Sequence, residues 1–100
     1  MSIRKMIALH PDVHGHTNQP LGDAAHHLMY CARMCASCAD ACSAEQGDMT
    51  QCIRACLDCS DVCEAAGKLA VRRSGSNEEV LKEVLELCAR VCEACAVECD

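Results

Sequence analysis

Three segments of the chain carry apolar residues at intervals of three and four positions, which is the period of an α-helix. They cover about 21–44, 49–72 and 78–100. Cysteine occupies the a and d positions of these segments, where the helices of a bundle normally carry Leu or Ile. The pattern therefore predicts an all-α chain with three amphipathic helices, each with a stripe of thiols.

The connections between the predicted helices are short and contain residues that end or begin helices. The first helix should end near Gly47, and Asp48 is a candidate N-cap for the second. A second turn follows at 74–77, where Asn77 is a candidate N-cap for the third helix. Short connections predict antiparallel neighbours, so we expect an antiparallel up-down helix bundle of the four-helix type.

The start of the chain shows no sustained period. We interpret 1–20 as an N-terminal arm, with room for one short turn of helix, and 21–100 as the cysteine-rich helical domain. Two prolines, one glycine and three histidines mark this arm: Pro11, Pro20, Gly15, His10, His14 and His16. We expect an unordered arm rather than a metal site.

All twelve cysteines belong to the spacing C-x3-C-x2-C-x3-C, which occurs three times. At about 100° per residue, the four cysteines of one quartet fall within roughly 60° of a helix face. Cysteine is a small hydrophobe that is used mostly for its reactivity, so the stripes predict chemistry rather than packing. The quartets are Cys31, Cys35, Cys38 and Cys42; Cys52, Cys56, Cys59 and Cys63; and Cys88, Cys92, Cys95 and Cys99.

The two turns should bring the three quartets to the same height in the bundle. The cysteines beside the first turn lie at equal distances from Gly47, and those beside the second are nearly symmetric about Gly75. Antiparallel helices folded at these turns would line one tube, about 16 Å long, with all the thiols. The quartets therefore predict a cysteine-lined core.

We expect one end of this tube to be closed and the other open. Thiols reach the rim at Cys42, Cys52 and Cys99, beside Met49, a thioether that is suited to pass metal inward. At the other end the helices continue with an apolar plug: Leu28, Leu69, Val80, Leu81, Val84 and Leu85. Three helices do not enclose a tube well, so we expect a fourth wall from a further helix, the arm or another subunit.

Composition limits the class of function. A domain of 100 residues with no Phe, no Trp and a single Tyr has a marginal core unless metal, disulfides or a partner chain supports it. The net charge of −6 argues against nucleic acid binding and gives no membrane-binding patch. The N-terminal residues do not resemble a secretory signal, from which we expect a cytoplasmic, reducing compartment.

Thiol chemistry without metal is a weaker interpretation. Parallel Cβ vectors disfavour disulfides within a quartet, and cross-helix disulfides would be reduced in the cytoplasm. A redox-active C-x-x-C pair normally opens a helix after a strand, whereas the three pairs here lie in mid-helix. The sequence offers no nucleophile–base pair, so we predict a binding protein that is not an enzyme.

Charge favours Cu(I) over zinc as the bound metal, whereas an iron–sulfur cluster is harder to exclude by charge and is disfavoured by the position of the ligands. Each four-thiolate zinc site would leave a charge of about −2 in a buried tube, whereas one monovalent ion per thiolate neutralises it. Cu(I) prefers thiolate ligands, and facing thiolates at i and i+4 can clamp it. Familiar iron–sulfur motifs place their ligands on loops rather than along helices. Zinc or iron–sulfur binding without catalysis remains the alternative.

The quartets, as in 31–42, resemble those of the bacterial copper storage proteins, and the cytosolic branch matches best. The resemblance covers about 21–100 and implies a bundle filled with several Cu(I) ions, storage or sequestration of copper, and a homo-oligomer, often a tetramer. We also expect a copper donor or acceptor, either a protein or a small thiol. Family members usually continue into a fourth Cys-bearing helix with His near its start. This sequence ends at Asp100, so we expect either a fragment or a helix outside this numbering.

Two further side chains are weaker candidates for a role in metal binding. His27 roughly continues the stripe of the first helix, but we expect a surface or partly buried histidine there. Met34 should project away from the thiols and pack between helices or subunits. Neither residue is included among the predicted ligands.

Overall fold

The computed structural model describes residues 2–11, 19–72 and 77–99, and within these ranges the chain is helical with no strand. Its helices are α1 (Ile3–Ala8), α2 (Gln19–Ser43), α3 (Thr50–Ala70) and α4 (Glu78–Cys99). The three long helices match the predicted ones to within a few residues, so the all-α prediction is confirmed. In the described ranges, no helix is both long enough and apolar enough to span a membrane.

The turn between α2 and α3 is built much as the sequence predicts. Gly47 has a φ of 105°, in the left-handed region that glycine adopts without steric cost. Met49, rather than Asp48, is the backbone N-cap of α3. Asp48 still supplies the capping oxygen, because its Oδ1 accepts a hydrogen bond from the Thr50 N–H at 3.1 Å. This hydrogen bond pairs the Thr50 N–H, which has no acceptor within α3 because it lies in the first turn of the helix.

The second turn is described only at its ends, because 73–76 lie outside the described residues. The Asn77 carbonyl accepts a hydrogen bond from the Leu81 N–H at 2.8 Å, which begins α4. The Asn77 side-chain amide donates to the Arg72 carbonyl at 2.9 Å. This residue therefore links the end of α3 to the start of α4.

Helix α3 lies between α2 and α4 and contacts both. At the α2–α3 interface Ala32 and Ala66 are fully buried, so the two backbones approach closely. The Ser60 hydroxyl donates to the Ala32 carbonyl at 2.9 Å, and Arg33 forms an ion pair with Glu64 at 2.7 Å. These contacts hold the antiparallel register that sets cysteines of the two helices side by side.

The backbones of the outer helices α2 and α4 stay apart along their described residues, since no Cα pair between them lies within 8 Å, although some of their cysteine side chains approach each other. A groove of about 520 Å³ runs between them over the thiols of α3. The three long helices thus form an open trough rather than a closed tube. This geometry agrees with the expectation that three helices do not enclose a tube, and the fourth wall itself stays a prediction.

An apolar cluster closes the end of the trough away from Gly47. Its buried members are Ile7, Leu21, Ala25, Ala70 and Leu81, with Ile3, Leu69, Val84 and Leu85 packed against them. The apolar plug is therefore present, with two corrections to its membership. Val80 is 54% exposed and does not belong to it, and Leu28 packs with the thiols instead.

The N-terminal arm contributes to this plug, which the sequence did not predict. Helix α1 is capped by Ser2, whose hydroxyl accepts a hydrogen bond from the Lys5 N–H at 3.1 Å. Ile7 is only 2% exposed and lies in the apolar cluster. The described part of the arm therefore packs at the closed end and does not supply the fourth wall along the thiols.

Candidate metal centre

The cysteines of α3 form the centre of the site. Since α3 lies between the other two long helices, its thiol stripe is covered from both sides, and all four of its cysteines are buried. The outer helices are less covered, because their stripes border the groove. On α4 Cys88 and Cys95 are buried and Cys92 and Cys99 are half-buried, and all four cysteines of α2 are half-buried.

Each cysteine of α3 faces one cysteine of α4. Three of these pairs have Sγ atoms less than 4 Å apart, and the fourth is a disulfide. They are Cys63–Cys88 (3.2 Å), Cys59–Cys92 (3.4 Å), Cys56–Cys95 (3.7 Å) and the bonded pair Cys52–Cys99. A diagonal contact of 3.5 Å also joins Cys56 to Cys99, and another of 3.5 Å joins Cys63 to Cys92. These contacts form two runs of sulfur atoms, and the longer approach of Cys59 to Cys95, within 4.8 Å, joins them into one column.

Helix α2 adds further sulfur atoms to this column. At the rim, the Sγ atoms of Cys42 and Cys52 lie 3.4 Å apart. Three groups have all their sulfur atoms within 4.8 Å of one another: Cys38, Cys52, Cys56 and Cys99; Cys35, Cys59 and Cys95; and Cys59, Cys63 and Cys92. The predicted alignment of the three quartets at one height is thus present. Cys31 belongs to none of these groups and lines the groove.

Cys52 and Cys99 form a disulfide, a cross-helix bridge of the kind that the sequence analysis expected to be reduced in the cytoplasm. Its Cα atoms are 5.1 Å apart, within the usual range for a disulfide. It joins two helices rather than two positions of one quartet, which is the arrangement that the direction of the Cβ vectors allows. Ten cysteines remain free. Metal binding by all twelve therefore requires this bond to be reduced.

Burial changes the protonation of the thiols. It raises the pKa of Cys56, Cys59 and Cys63 far above the ordinary thiol value of 9.0, and hydrogen bonds with neighbouring thiols raise the pKa further. Burial also raises the pKa of Cys31 and Cys35. At neutral pH the metal-free column is thus protonated and carries no charge. A metal ion that binds there must displace protons.

The groove between α2 and α4 is lined by thiols and by two larger side chains, Tyr30 and Met34. Met34 is 53% exposed, in agreement with the prediction that it projects away from the stripe, and it also lines the edge of the groove. Tyr30 was not predicted to lie near the site. Each residue directly precedes a cysteine of the α2 stripe, which places it only about 100° away around the helix. That adjacency is the sequence feature that could have located both at the edge of the site.

The remaining candidate side chains fall into three groups. Met49 is half-buried, packs against the thiol cluster and lines a pocket at the rim, as expected for a residue at the open end. His27 is exposed, in agreement with the prediction of a surface histidine. His10 is half-buried, whereas the predictions for His14 and His16 lie outside the described residues.

Comparison with known proteins identifies the family. The family model described as copper storage protein matches residues 17–100, a range that contains all three quartets. The chain belongs to the copper storage protein family. The resemblance that the quartets indicated is thereby confirmed.

A solved copper storage protein has the same fold. It is Ccsp from Streptomyces lividans, in a structure loaded with 10 copper equivalents, and it is 35% identical to this chain with a TM-score of 0.87. The match covers 98% of this chain and 76% of the Streptomyces chain. The likeness therefore extends over nearly the whole chain.

A curated relative also matches. It is the uncharacterized cysteine-rich protein YhjQ of Bacillus subtilis (strain 168), which is 37% identical over 74 residues, or 74% of this chain. The aligned part of the chain spans 45% of the length of the Bacillus protein. The Bacillus protein is thus considerably longer than the segment that it shares with this copper storage protein.

Proposed function

We propose that this chain stores or sequesters several Cu(I) ions, bound by the thiolates of its twelve cysteines. The observation that carries the proposal is the continuous column of sulfur atoms, in which facing free thiols lie 3.2–3.7 Å apart. Soft thiolate ligands suit Cu(I), as they also suit zinc and iron–sulfur clusters. Membership of the copper storage protein family supports copper as the cargo.

Sharing of sulfur atoms between groups favours Cu(I) over zinc. Cys59 belongs to two of the three groups of neighbouring sulfurs, so its thiolate would bridge two metal ions. A structural zinc site is normally a closed set of four ligands. The one group with four sulfurs includes both Cys52 and Cys99, which are bonded to each other. The zinc alternative thus has the weaker support.

Charge balance supports the same ion. The metal-free column is neutral because its thiols are protonated, and a proton and Cu(I) carry the same charge. Exchange of each proton for one Cu(I) therefore leaves the buried column neutral. A divalent ion on four thiolates would leave negative charge in the core, at a considerable desolvation cost.

The two ends of the trough suggest a direction of filling. At the Gly47 end, Met49 and the half-buried Cys42 and Cys99 offer soft ligands close to solvent. At the opposite end the apolar cluster with Ile7 and Leu81 excludes water and ions. Copper would therefore enter at the rim and pass inward from thiol to thiol.

In the cell, the protein would act in the cytoplasm as a binding protein rather than an enzyme. A reducing compartment keeps thiols free and copper monovalent, as storage requires. Assembly into a homo-oligomer, a tetramer by resemblance, would cover apolar surface such as Tyr30 and Met34. Copper would be exchanged with a donor or acceptor protein or a small thiol. The proposal keeps 1–20 as an arm and 21–100 as the copper-binding domain.

Metal analysis tests this proposal. The protein is produced in cells with and without added copper, purified under reducing, oxygen-free conditions, and analysed for copper, zinc and iron. Copper should become the dominant metal when it is supplied. Dominant zinc, or the visible absorption of an iron–sulfur cluster, would support the alternative and contradict the proposal.

A matched pair of variants sharpens the same experiment. Cys59→Ser removes the sulfur that two groups share, whereas Cys31→Ser removes one that belongs to none of the three groups. Both cysteines lie in a quartet on a long helix, so the two changes are chemically equivalent. Cys59→Ser should lower the copper content more than Cys31→Ser. Equal losses would contradict binding through shared sulfurs.

A further inference from the structure

A small pocket at the rim combines two kinds of metal ligand. Its volume is about 310 Å³, and it is lined by Asp48, Met49, Gln51, Cys52, Glu98 and Cys99. Carboxylate and amide oxygens are ligands that Cu(II) accepts, whereas thiolate and thioether sulfurs suit Cu(I). Both oxidation states of copper thus find ligands within one pocket at the start of the thiol column.

The two cysteines of this pocket are also the pair that forms the disulfide. Cys52 lies near the start of α3 and Cys99 ends α4, and their Cα atoms are 5.1 Å apart. In the reduced protein these two side chains therefore face each other at bonding range. The pocket places the carboxylates of Asp48 and Glu98 beside the pair.

We propose that the rim pocket reduces Cu(II) to Cu(I), with Cys52 and Cys99 as the electron donors. Two Cu(II) ions each accept one electron, and the two thiols together lose two electrons and two protons. The sulfurs join as the Cys52–Cys99 disulfide, the protons pass to solvent, and two Cu(I) ions are formed. The reaction is stoichiometric, and a cellular thiol that reduces the disulfide would reset it.

The thiols next to the pocket provide a place for the product. Cys42 lies 3.4 Å from Cys52, and Cys56 lies 3.5 Å from Cys99. Ten free cysteines remain after the disulfide forms. Retention of the new Cu(I) rests on the proposed storage function, whereas its formation depends only on the rim pair.

Position distinguishes this pair from other close pairs of sulfurs. Cys63 and Cys88 face each other at 3.2 Å, but both are buried and lie toward the apolar plug. A hydrated Cu(II) ion reaches the rim pocket before it reaches that pair. The pair Cys63–Cys88 is therefore the internal comparison in the wild-type protein, where it should stay reduced while the Cys52–Cys99 disulfide forms.

The experiment mixes reduced, metal-free full-length protein with cupric chloride under nitrogen. Cu(I) is measured with a chromogenic Cu(I) chelator after unfolding, and disulfides are mapped by mass spectrometry of peptides. The first phase should yield two Cu(I) per disulfide, and that disulfide should be Cys52–Cys99. Disulfides spread evenly over several cysteine pairs in the wild-type protein would overturn the proposal, without any variant being needed.

Variants test the site itself. The double variant C52S/C99S should slow the first phase at least about tenfold, because it removes the two thiols that line the rim pocket beside the carboxylates of Asp48 and Glu98. D48N/E98Q should also slow the phase, whereas D58N, which changes a carboxylate in a pocket with Arg90 and Cys95, should not. An unchanged rate in C52S/C99S would contradict the proposal.

Titration of the reduced wild-type protein with Cu(I) separates this inference from the function on which it partly rests. If Cu(I) binds tightly but Cu(II) oxidises cysteines without preference, only the reductive role of the rim fails. If Cu(I) does not bind, the storage proposal fails, and the disulfide map still decides whether the rim pair reduces Cu(II).

Discussion

Cys56, Cys59 and Cys63 lie in the middle of the molecule, where burial raises their pKa above the ordinary value of 9.0. The same thiols in the unfolded chain ionise near their ordinary value. The folded state therefore keeps protons at a pH at which the unfolded state releases them. The contribution of these thiols to the free energy of unfolding is therefore complete below about pH 8.5. It is lost as the pH rises above that point, because the unfolded chain then releases protons that the folded chain keeps.

We therefore predict that the reduced, metal-free protein loses stability as the pH is raised above about 9. Urea unfolding followed by circular dichroism, at a series of pH values on either side of that point, measures the effect. A variant with Ala at Cys56, Cys59 and Cys63 should show a weaker dependence on pH. Stability that rises with pH in this range would contradict the assignment of raised pKa values.

At this scale the sequence predicts which residues form the column but not all of their chemistry. The 4-3-4 spacing fixes the face of each helix on which the cysteines lie. The Cys52–Cys99 disulfide depends on the axial register of α3 against α4, which the spacing alone does not determine. The position of Met34 at the edge of the groove likewise depends on the packing of α2 and α4, which the spacing does not determine.

The composition of the helices and the contacts between them favour helix formation without metal. Ala, Leu, Glu and Arg occupy many positions between the cysteines, and these residues have high helix propensity. Ala32 and Ala66 are buried where α2 packs on α3, and the Ser60–Ala32 hydrogen bond holds the register. These contacts contain no thiol.

We therefore predict that reduced, metal-free protein is substantially helical, and that Cu(I) adds thermal stability by binding the folded form. Far-UV circular dichroism before and after anaerobic loading with Cu(I) tests this, with a thermal unfolding curve for each sample. A random-coil spectrum that becomes helical only on loading would show instead that metal drives folding, as in a zinc finger.

The long helices could be predicted because each repeats its pattern over several turns, whereas α1 could not. Six residues are too few for a period, and α1 depends on the Ser2 cap and on burial of Ile7 against α2, α3 and α4. Val80, by contrast, was predicted to belong to the apolar plug and does not. It is apolar and lies near the plug in sequence, but its position on α4 leaves it 54% exposed.

For the molecule as a whole, the open groove and the rim offer two routes to the thiols. We predict that copper is taken up at the rim in the assembled protein. Met49→Trp should then slow uptake of Cu(I) without lowering the final capacity, as measured by stopped-flow absorbance of the copper–thiolate bands. The double change of Leu81 and Leu85 to Ser should lower stability without speeding uptake, because it opens only the plug.

Met34→Trp is the matched control for this prediction, because it places the same bulky side chain in the groove rather than at the rim. If Met34→Trp slows uptake and Met49→Trp does not, copper enters along the groove. If the plug variant accelerates uptake, the mouth lies at the end that we regard as closed. The sequence could not decide between the routes, since the packing of α2 and α4 determines whether a groove exists.

The ratio of copper to cysteine tests the central claim most directly. Fully reduced protein is titrated with Cu(I) under nitrogen in the presence of a competing chromogenic Cu(I) ligand, and the endpoint is read per chain. Because shared thiolates bridge neighbouring ions, the endpoint should approach about one Cu(I) per cysteine, or roughly twelve per chain. Protein that retains the Cys52–Cys99 disulfide should bind less, in proportion to its ten free thiols. An endpoint of about three ions per chain, as expected for separate four-thiolate sites, would contradict storage in a continuous column.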